Sequence, residues 1–396
     1  MSDKYSNYLD WEKKYHTKLF PKRDYVIVKG NGALLYDDKG KEYIDCIAGH
    51  AVMNIGHSHP KYIEAVKAQL EKLVMVPPGF PVEPRAKLLK KLADITPKSL
   101  TQTFLSNSGT ESVETAIKLV LANNRDKKNP EIIAFKRAFH GRSLGSLAMT
   151  YNMKYRKLFM SWLSPNVKYA SFGNIASVRE LVNENTVAIF CELIQGEGGI
   201  HPSPEEFPKE LRELCNEKDL ILVDDEVQTG FGRTGKMFAF EHYGIVPDVV
   251  CMAKAIAGGL PMGATMASED LFNNMEVGTH NTTFGSNPLV CAAANATLDI
   301  IINENLVENA ANLGEKMISS LNEFAEKNKI IRAIRGKGLM IGVDYRKKVK
   351  DMIKKAEDMG VLLLISGLTV IRILPPLVIS ESQLDKVLDV IHQISV

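Results

Sequence analysis

The chain has 396 residues, of which 45% are hydrophobic and 24% are charged, and its formal net charge is +2. These values exclude a mainly disordered, collagen-like or coiled-coil protein, and they give no reason to expect nucleic acid or an anionic membrane as a partner. The five cysteines are widely spaced and form no Cys-x-x-Cys pair, which favours reduced thiols and a cytoplasmic location. We expect no secretion signal and no membrane span, and hence a soluble enzyme.

The N-terminal part of the chain alternates in the manner of short β-strands. Three runs separated by Gly, Asn and Asp residues predict a small antiparallel meander over 25–28, 33–37 and 42–46. Apolar positions then recur at helical spacing over 60–73 and 82–92. A strand-rich segment thus precedes the main body of the chain.

Short apolar runs alternate with longer amphipathic ones between about residues 60 and 290. The apolar runs occupy 103–105, 132–135, 187–190, 220–223 and 249–252. Uninterrupted apolar strands divided by helices predict a mainly parallel sheet that is buried on both faces. From about residue 300 helices and strands alternate in a smaller α+β unit.

The segment 106–111, Ser-Asn-Ser-Gly-Thr-Glu, lies where a predicted strand passes into a helix. Ser108 and Glu111 have the spacing of a capping box. The free N–H groups of a helix start, next to Gly109, can bind a phosphate. Taken alone, the segment is better explained by an ordinary N-cap without a ligand.

Three carboxylates, at positions 224–226, follow a buried strand directly. Acids at the carboxyl ends of parallel strands lie where open α/β sheets bind ligands. Consecutive side chains point to alternate sides, which disfavours a metal site, but a single acid could pair with a cationic ring nitrogen.

Lys254 ends another apolar strand, and it is either an amine nucleophile or a lysine that extends to solvent.

Other motifs remain open in their interpretation. The sequence Phe139-His140-Gly141-Arg142 follows a strand, and 280–288 combines His, Thr, Gly and Pro residues. Arg372 lies among apolar residues and is either part of a structural pair or a clamp for a carboxylate.

Together these motifs resemble the class III aminotransferases, which are pyridoxal phosphate enzymes of fold type I. The resemblance covers about 30–380, and its most specific part is the run 225–230 (Asp-Glu-Val-Gln-Thr-Gly) with Lys254, 29 residues after Asp225. Within this class the chain is most similar to acetylornithine and ornithine aminotransferases, and to those acting on carrier-protein-bound aminoadipate semialdehyde.

The resemblance implies an α/β fold in which a large domain has a mainly parallel central sheet and a small domain is α+β. The large, cofactor-binding domain would span 59–295 and the small domain 296–396, with the N-terminal segment 1–58 joining the small domain. The protein would be a homodimer.

The resemblance also implies how pyridoxal 5'-phosphate is held. Lys254 would bind it covalently, and Asp225 would pair with its ring nitrogen. Ser108, Gly109 and Thr110 would hold the phosphate. Phe139 and Val227 would pack on the two faces of the ring, and Gln228 would contact the ring hydroxyl. Thr283 would reach the phosphate held by the partner subunit.

The implied substrates are small amino acids and 2-oxoglutarate. Arg142 would bind a substrate carboxylate. Glu197 would pair with Arg372 when no second carboxylate is present. Thr282 is a further substrate residue, since it keeps the hydroxyl that relatives often have there as Ser. His50 lies where relatives line the substrate entrance, and its role is open. The expected reaction moves an ω-amino group from an Nα-blocked diamino acid such as N-acetylornithine to 2-oxoglutarate.

Several alternatives stay open at this point. Ornithine, 4-aminobutyrate or a carrier-bound substrate could be the donor. An amino-acid racemase or aminomutase would use the same Lys254 and Asp225 without a keto-acid acceptor. A non-catalytic binding protein would hold the cofactor without turnover.

Overall fold

A computed structural model of the protein describes residues 3–396. The strands, in chain order, are β1 (Ile27–Asn31), β2 (Leu34–Asp37), β3 (Glu42–Asp45), β4 (Gln102–Ser106), β5 (Glu131–Phe135), β6 (Val167–Ala170), β7 (Thr186–Cys191), β8 (Ile194–Gln195), β9 (His201–Pro202), β10 (Ile221–Asp225), β11 (Val249–Met252), β12 (Gly263–Ala267), β13 (Ile331–Lys337), β14 (Met340–Tyr345), β15 (Val361–Leu362), β16 (Leu364–Ser366) and β17 (Val370–Ile373).

The helices are α1 (Asp3–Tyr15), α2 (Ala48–Ala51), α3 (Pro60–Leu70), α4 (Glu83–Ile95), α5 (Gly109–Ala122), α6 (Leu144–Met149), α7 (Met153–Arg156), α8 (Ile175–Arg179), α9 (Phe207–Lys218), α10 (Glu269–Asn273), α11 (Pro288–Asn303), α12 (Leu306–Lys327), α13 (Lys350–Asp358) and α14 (Glu381–Ile394). Short 3₁₀ turns lie at Met160–Trp162, Ala239–His242 and Lys254–Ala257.

A seven-stranded sheet forms the centre of the molecule, in the order β4-β12-β11-β10-β7-β5-β6. Neighbours among β11, β10, β7, β5 and β6 are parallel, whereas β12 runs antiparallel to both β11 and β4. Every residue of β7 and β11 is buried, as expected for strands covered on both faces. The predicted α/β fold with a mainly parallel sheet is confirmed.

The predicted N-terminal meander is present, and it is extended by a strand from the other end of the chain. The strands β1, β2 and β3 pair antiparallel, and β15 adds to β3 in parallel through Val361 opposite Ile44. The N-terminal segment is therefore hydrogen-bonded to the C-terminal part of the chain.

The C-terminal part contains an antiparallel sheet in the order β13-β14-β17-β16. The long helix α12 buries a stripe at helical spacing, formed by Leu306, Ala310, Leu313, Met317 and Leu321. The preceding helix α11 is continuous across residue 295.

The parallel strands bring chemically active residues to one edge of the central sheet. Asp225 is the last residue of β10, and Lys254 follows β11 after one residue. Glu192 follows β7. Because β7, β10 and β11 are parallel neighbours, all three side chains lie at the carboxyl edge, where sheets of this kind bind ligands.

Within residues 3–396, none of the helices has the length and apolar character needed to cross a membrane. The same residues contain no group of three or more His, Cys, Asp or Glu side chains arranged to hold a metal ion.

Candidate active site

A cavity of about 820 Å³ opens at the carboxyl edge of the central sheet. Of the thirteen site residues predicted from the sequence, eleven line it: Ser108, Gly109, Thr110, Phe139, Arg142, Glu197, Asp225, Val227, Gln228, Lys254 and Arg372. The fold thus gathers residues from the whole length of the chain around one space.

Lys254 lines this cavity and begins the 3₁₀ turn that follows β11. Its backbone has φ +46°, a left-handed conformation that is strained for a residue other than Gly. Burial lowers the pKa of its amine, although the charge of Asp225 acts in the opposite direction. A buried amine with a lowered pKa is suited to act as a nucleophile and as a proton acceptor.

Asp225 is held from two sides. Its Oδ2 lies 2.7 Å from Nδ1 of His140, and its Oδ1 accepts a hydrogen bond of 3.1 Å from the N–H of Val227. Burial opposes a charge on His140, but the hydrogen bond and the attraction to Asp225 outweigh it and raise the pKa of His140. The carboxylate is therefore fixed in orientation by an imidazole on one side and a backbone N–H on the other.

The start of α5 forms one end of the cavity. Ser108 is the N-cap, and its hydroxyl accepts the N–H of Glu111 at 3.3 Å. The reciprocal half of the predicted capping box is replaced, because the Glu111 carboxylate accepts the N–H of Asn107 at 2.6 Å. The helix start remains a place where backbone N–H groups can bind an anion.

Gly109 permits close packing behind this helix start. A Cβ atom at Gly109 would lie 2.7 Å from Cγ1 of Val227, which is too close for any carbon contact. Thr110 is fixed by hydroxyl contacts of 2.8 Å to Ser143 and 2.7 Å to Ser146. The loop after β10 and the start of α5 are thus in direct contact.

Glu192 is a site residue that the sequence reasoning missed. Its two carboxylate oxygens accept the N–H of Phe139 at 2.8 Å and the N–H of Gly196 at 3.0 Å. Burial raises its pKa to about 7. The signal that pointed to Asp225, an acid directly after a buried parallel strand, is present at Glu192 as well and could have identified it.

Glu197 and Arg372 form an ion pair in which Oε2 and Nη2 are 2.8 Å apart. The backbone carbonyl of Glu197 accepts the hydroxyl of Ser366, and its carboxylate accepts the hydroxyl of Tyr155 at 3.2 Å. Within the described residues, Nε and Nη1 of Arg372 have no hydrogen-bond partner although both are buried. The arginine therefore keeps donors free for a further carboxylate.

Arg142 lies over aromatic rings at the side of the cavity. Its guanidinium carbon is 3.8 Å from the ring centre of Tyr155 and 5.4 Å from that of Phe139. Cation–π contacts of this kind orient an arginine while leaving its N–H groups free to bind an anion. The sequence reasoning did not single out Tyr155.

Thr282 and Thr283 are not among the residues that line the cavity. The hydroxyl of Thr282 accepts the N–H of Gly285 at 3.0 Å, and Thr283 is exposed.

His50 does line the cavity, within a turn at 48–51 whose residues all have positive φ. Burial and the nearby Arg372 lower the pKa of His50.

Comparisons with known proteins agree with this geometry. The family described as Aminotransferase class-III matches residues 19–395. The acetylornithine aminotransferase of Methanocaldococcus jannaschii is 40% identical over 393 residues, which are 98% of each chain. The [LysW]-aminoadipate semialdehyde transaminase of Deinococcus radiodurans is 43% identical over 385 residues, covering 96% of this chain and 88% of that protein.

A solved structure with the same fold is the ornithine aminotransferase of Toxoplasma gondii, with a TM-score of 0.93 and 28% identity. The match covers 98% of this chain and 94% of that one. The chain belongs to the class III aminotransferases. It is an enzyme of the transaminase class EC 2.6.1.-, and its cofactor is pyridoxal phosphate.

The residues present fit this cofactor. Oε1 of Gln228 is buried beside the cavity and has no hydrogen-bond partner among the described residues, so it can accept from a ring hydroxyl. Asp225 supplies a fixed negative charge for a protonated ring nitrogen. The start of α5 can hold the phosphate, and Lys254 is an amine within the same cavity.

Proposed function

We propose that the protein transfers the ω-amino group of an Nα-acylated diamino acid, such as N-acetylornithine, to 2-oxoglutarate, forming a semialdehyde and glutamate. The observation that carries this proposal is the ion pair between Glu197 and Arg372 inside the cavity. It supplies a cation that can be exposed for one substrate and neutralised for the other. The names of the relatives, which include acetylornithine, aminoadipate semialdehyde and ornithine enzymes, support a donor of this class.

Lys254 and Asp225 would be the catalytic residues. Bound pyridoxal phosphate supplies an electron-accepting ring, which makes removal of a proton from the substrate carbon possible. Asp225 would keep the ring nitrogen protonated, because its charge favours the protonated form. Nζ of Lys254, with its pKa lowered by burial, would take the proton from one carbon and return it to the next.

The remaining residues would contact three different parts of the cofactor: its phosphate, the faces of its ring and the ring hydroxyl. Ser108, Gly109 and Thr110 would hold the phosphate at the helix start, where N–H groups favour an anion. Phe139 and Val227 would pack on opposite faces of the ring. Gln228 would contact the ring hydroxyl, and Thr283 would complete the phosphate site of the partner subunit in a homodimer.

Two arginines would recognise the substrates. Arg142 would bind the carboxylate that both the donor and 2-oxoglutarate carry away from the reacting atoms. Arg372 would bind the second carboxylate, which only 2-oxoglutarate and glutamate possess, and Glu197 would neutralise Arg372 when the donor is bound. Leaving a buried arginine unpaired in the donor complex would cost several kcal/mol. The same switch argues against a racemase, which needs no keto-acid acceptor.

We further propose the division into 1–58, 59–295 and 296–396, and a cytoplasmic location. The pairing of β15 with β3 supports the assignment of the N-terminal segment to the small domain. The boundary between large and small domains would fall within α11, which spans Pro288–Asn303.

An Nα-acyl group could also belong to a carrier protein, as the name of the Deinococcus radiodurans relative suggests. Thr282 would hold the loop 281–285 in position.

The test is a comparison of initial rates of glutamate formation with N-acetylornithine, ornithine and 4-aminobutyrate at equal concentrations. We expect the acylated donor to have the highest kcat/KM. A higher kcat/KM for free ornithine would replace the proposed donor, and racemisation of an amino acid without glutamate formation would refute amino transfer.

A further inference from the structure

Three hydroxyl groups, of Thr110, Ser143 and Ser146, form a compact group at the start of α5, which we call the hydroxyl cluster. Oγ1 of Thr110 lies 2.8 Å from Oγ of Ser143 and 2.7 Å from Oγ of Ser146, and the two serine oxygens are 3.0 Å apart. The N–H groups of Arg142 and Ser143 each donate to Oγ1 of Thr110 at 3.3 Å. The hydroxyl cluster thus joins the helix start to the loop that carries Arg142.

Glu114, one turn further along α5, accepts hydrogen bonds from this cluster. Its Oε1 accepts the hydroxyl of Ser143, and it accepts the N–H of Ser146 at 2.8 Å. Ser146 is the third residue of α6, so its N–H is one that the side chain of the N-cap, Ser143, would normally bind. The Ser143 side chain makes no such bond. Glu114 therefore caps α6 from a neighbouring helix and leaves the Ser143 hydroxyl to the cluster.

Gly145 allows Glu114 to come this close. A Cβ atom at Gly145 would lie 2.3 Å from Oε2 of Glu114, which is too close for any contact. The atom it would meet is at the end of a flexible side chain, so a methyl group at position 145 would displace the carboxylate before the backbone. Gly145 is not among the glycines with positive φ, and alanine is therefore compatible with its backbone.

The carboxylate sets the direction of the protons in the hydroxyl cluster. An ionised carboxylate only accepts, so Ser143 donates its proton to Glu114, and the Ser143 oxygen can accept from Thr110. Oγ1 of Thr110 already accepts two N–H groups, which leaves it its own proton to donate to a serine. The Thr110 hydroxyl is thus used within the cluster. What Thr110 offers to an anion at the helix start is its backbone N–H.

We infer that Glu114 is a positioning residue for both substrates, because through Ser143 and Thr110 it fixes the loop from which Arg142 extends. Glu114 does not line the active-site cavity, so it acts through these residues and not by direct contact. The inference rests on the proposed function, in which Arg142 binds a carboxylate of the donor and of 2-oxoglutarate. Loss of Glu114 should therefore affect the two substrates equally, unlike loss of Arg372.

The experiment uses three variants that change the contact in different ways. Glu114→Ala removes the acceptor, whereas Glu114→Gln keeps an Oε1 acceptor for Ser143 and Ser146. Gly145→Ala leaves Glu114 in the chain but displaces its carboxylate, and it does not depend on the stability of a variant that lacks the acid. The holoenzymes are assayed with N-acetylornithine and 2-oxoglutarate, and pyridoxal phosphate affinity is measured by titration of the apoenzymes.

We expect Glu114→Ala and Gly145→Ala to raise the KM for both substrates by about tenfold, with kcat changed by less than about threefold. Glu114→Gln should recover most of the loss, because Oε1 makes both of the observed bonds. Cofactor affinity should change by less than about threefold in all three variants, since the phosphate would be held by backbone N–H groups. Glu213→Ala is the matched control, because Glu213 is exposed on α9 and does not line the cavity, and it should behave as wild type.

A double-mutant cycle separates positioning of Arg142 from a general loss of structure. In an Arg142→Met background, adding Glu114→Ala should lower kcat/KM by less than about twofold, because the group to be positioned is gone. A full tenfold loss in that background would overturn the inference.

Unchanged KM values in Glu114→Ala, an effect confined to one substrate, or an equal loss of cofactor affinity would also overturn the inference. In each of these cases, glutamate formation from N-acetylornithine by the wild type would leave the proposed function standing. Failure of the wild type to form glutamate from N-acetylornithine would overturn the proposed function and this inference together.

Discussion

The ion pair between Arg372 and Glu197 is asymmetric: the arginine side chain is 3% exposed, whereas the glutamate side chain is 33% exposed. The arginine is held on strand β17, within a sheet, and the glutamate lies on the loop after β8. Of the two residues, Glu197 is therefore the one that can turn away toward solvent when a substrate carboxylate arrives. This asymmetry leads to opposite predictions for the two residues.

We predict that Arg372→Ala raises the KM for 2-oxoglutarate by about 100-fold and changes the KM for the ω-amine donor by less than about threefold. The reason is that only the acceptor brings a second carboxylate to this position. Steady-state kinetics of the two half-reactions measure the difference. Arg372→Lys should recover only part of the loss, because lysine cannot form a forked contact. Equal losses for both substrates would contradict the switch.

The reverse pattern is expected for Glu197→Ala. Arg372 would then stay available to 2-oxoglutarate, but it would be buried and unpaired when the donor is bound. We predict a fall of about tenfold in kcat/KM for the donor, with little change for 2-oxoglutarate. The idea fails if the acceptor is affected more than the donor.

The contact between His140 and Asp225 gives a prediction about cofactor affinity. His140→Gln removes the 2.7 Å contact to the carboxylate, which then keeps only one of the two contacts that orient it. We expect pyridoxal phosphate to bind about 10- to 100-fold more weakly, as measured by titration of the apoenzyme. His242→Gln is the control, since His242 is half-buried and contacts Thr234 outside the cavity. An unchanged cofactor affinity in His140→Gln would refute this role.

Packing around Gly109 gives a prediction about stability. A methyl group at this position meets Val227 at 2.7 Å, so Gly109→Ala should destabilise the apoenzyme by about 1–3 kcal/mol. Gly79→Ala is the matched control, because a Cβ there meets nothing within 4 Å, and its effect should stay within about 1 kcal/mol. Urea denaturation of the apoenzymes compares them. Adding Val227→Ala to Gly109→Ala should restore part of the loss; if it does not, the close contact is not the cause.

Much of this site could be predicted from the sequence because its key residues lie at the ends of recognisable strands. Asp225 and Lys254 each follow an apolar run, and parallel pairing of β10 with β11 brings them to one edge. Strand β12 was not foreseen, since its sequence of small residues, Gly-Ala-Thr-Met-Ala, lacks strand alternation. It is stabilised by its neighbours β4 and β11 and by the hydroxyl of Thr265, which donates to Ser112 at 2.7 Å.

Roles that depend on distant partners could not be read from local patterns. Glu192 matters because folding brings Phe139, 53 positions earlier in the chain, to its carboxylate. Similarly, Tyr155 has no motif of its own and is placed by its contacts with Glu197 and Arg142. The predicted helix over 60–73 ends at Leu70, because helical spacing of apolar residues does not mark where the hydrogen bonding stops.

Glu192 also gives a pH prediction. Its pKa is raised to about 7 by burial, whereas in the unfolded chain it is near 4.5. Between these values the folded protein holds a proton that the unfolded chain has lost, so the free energy of unfolding falls as pH rises from about 4.5 to about 7. The contribution of this group is at most about 1.4 kcal/mol per pH unit.

Glu192→Gln removes this contribution while keeping one acceptor oxygen for the backbone. Urea denaturation of both apoenzymes at several pH values should show a smaller downward slope in the variant below pH 7. The two profiles should run parallel above about pH 8, where the glutamate is ionised in both states. Parallel profiles over the whole range would show that Glu192 has no raised pKa.

The most direct measurement follows one nitrogen atom. N-Acetylornithine labelled with ¹⁵N only at its ω-amino group is incubated with 2-oxoglutarate and the holoenzyme, and the glutamate is analysed by mass spectrometry. Our account predicts labelled glutamate in amounts equal to the semialdehyde formed, with the rate lowered at least about 1000-fold in Lys254→Ala. Formation of unlabelled glutamate would contradict the account. So would the absence of any glutamate from N-acetylornithine if the same enzyme transfers an amino group from a different amine.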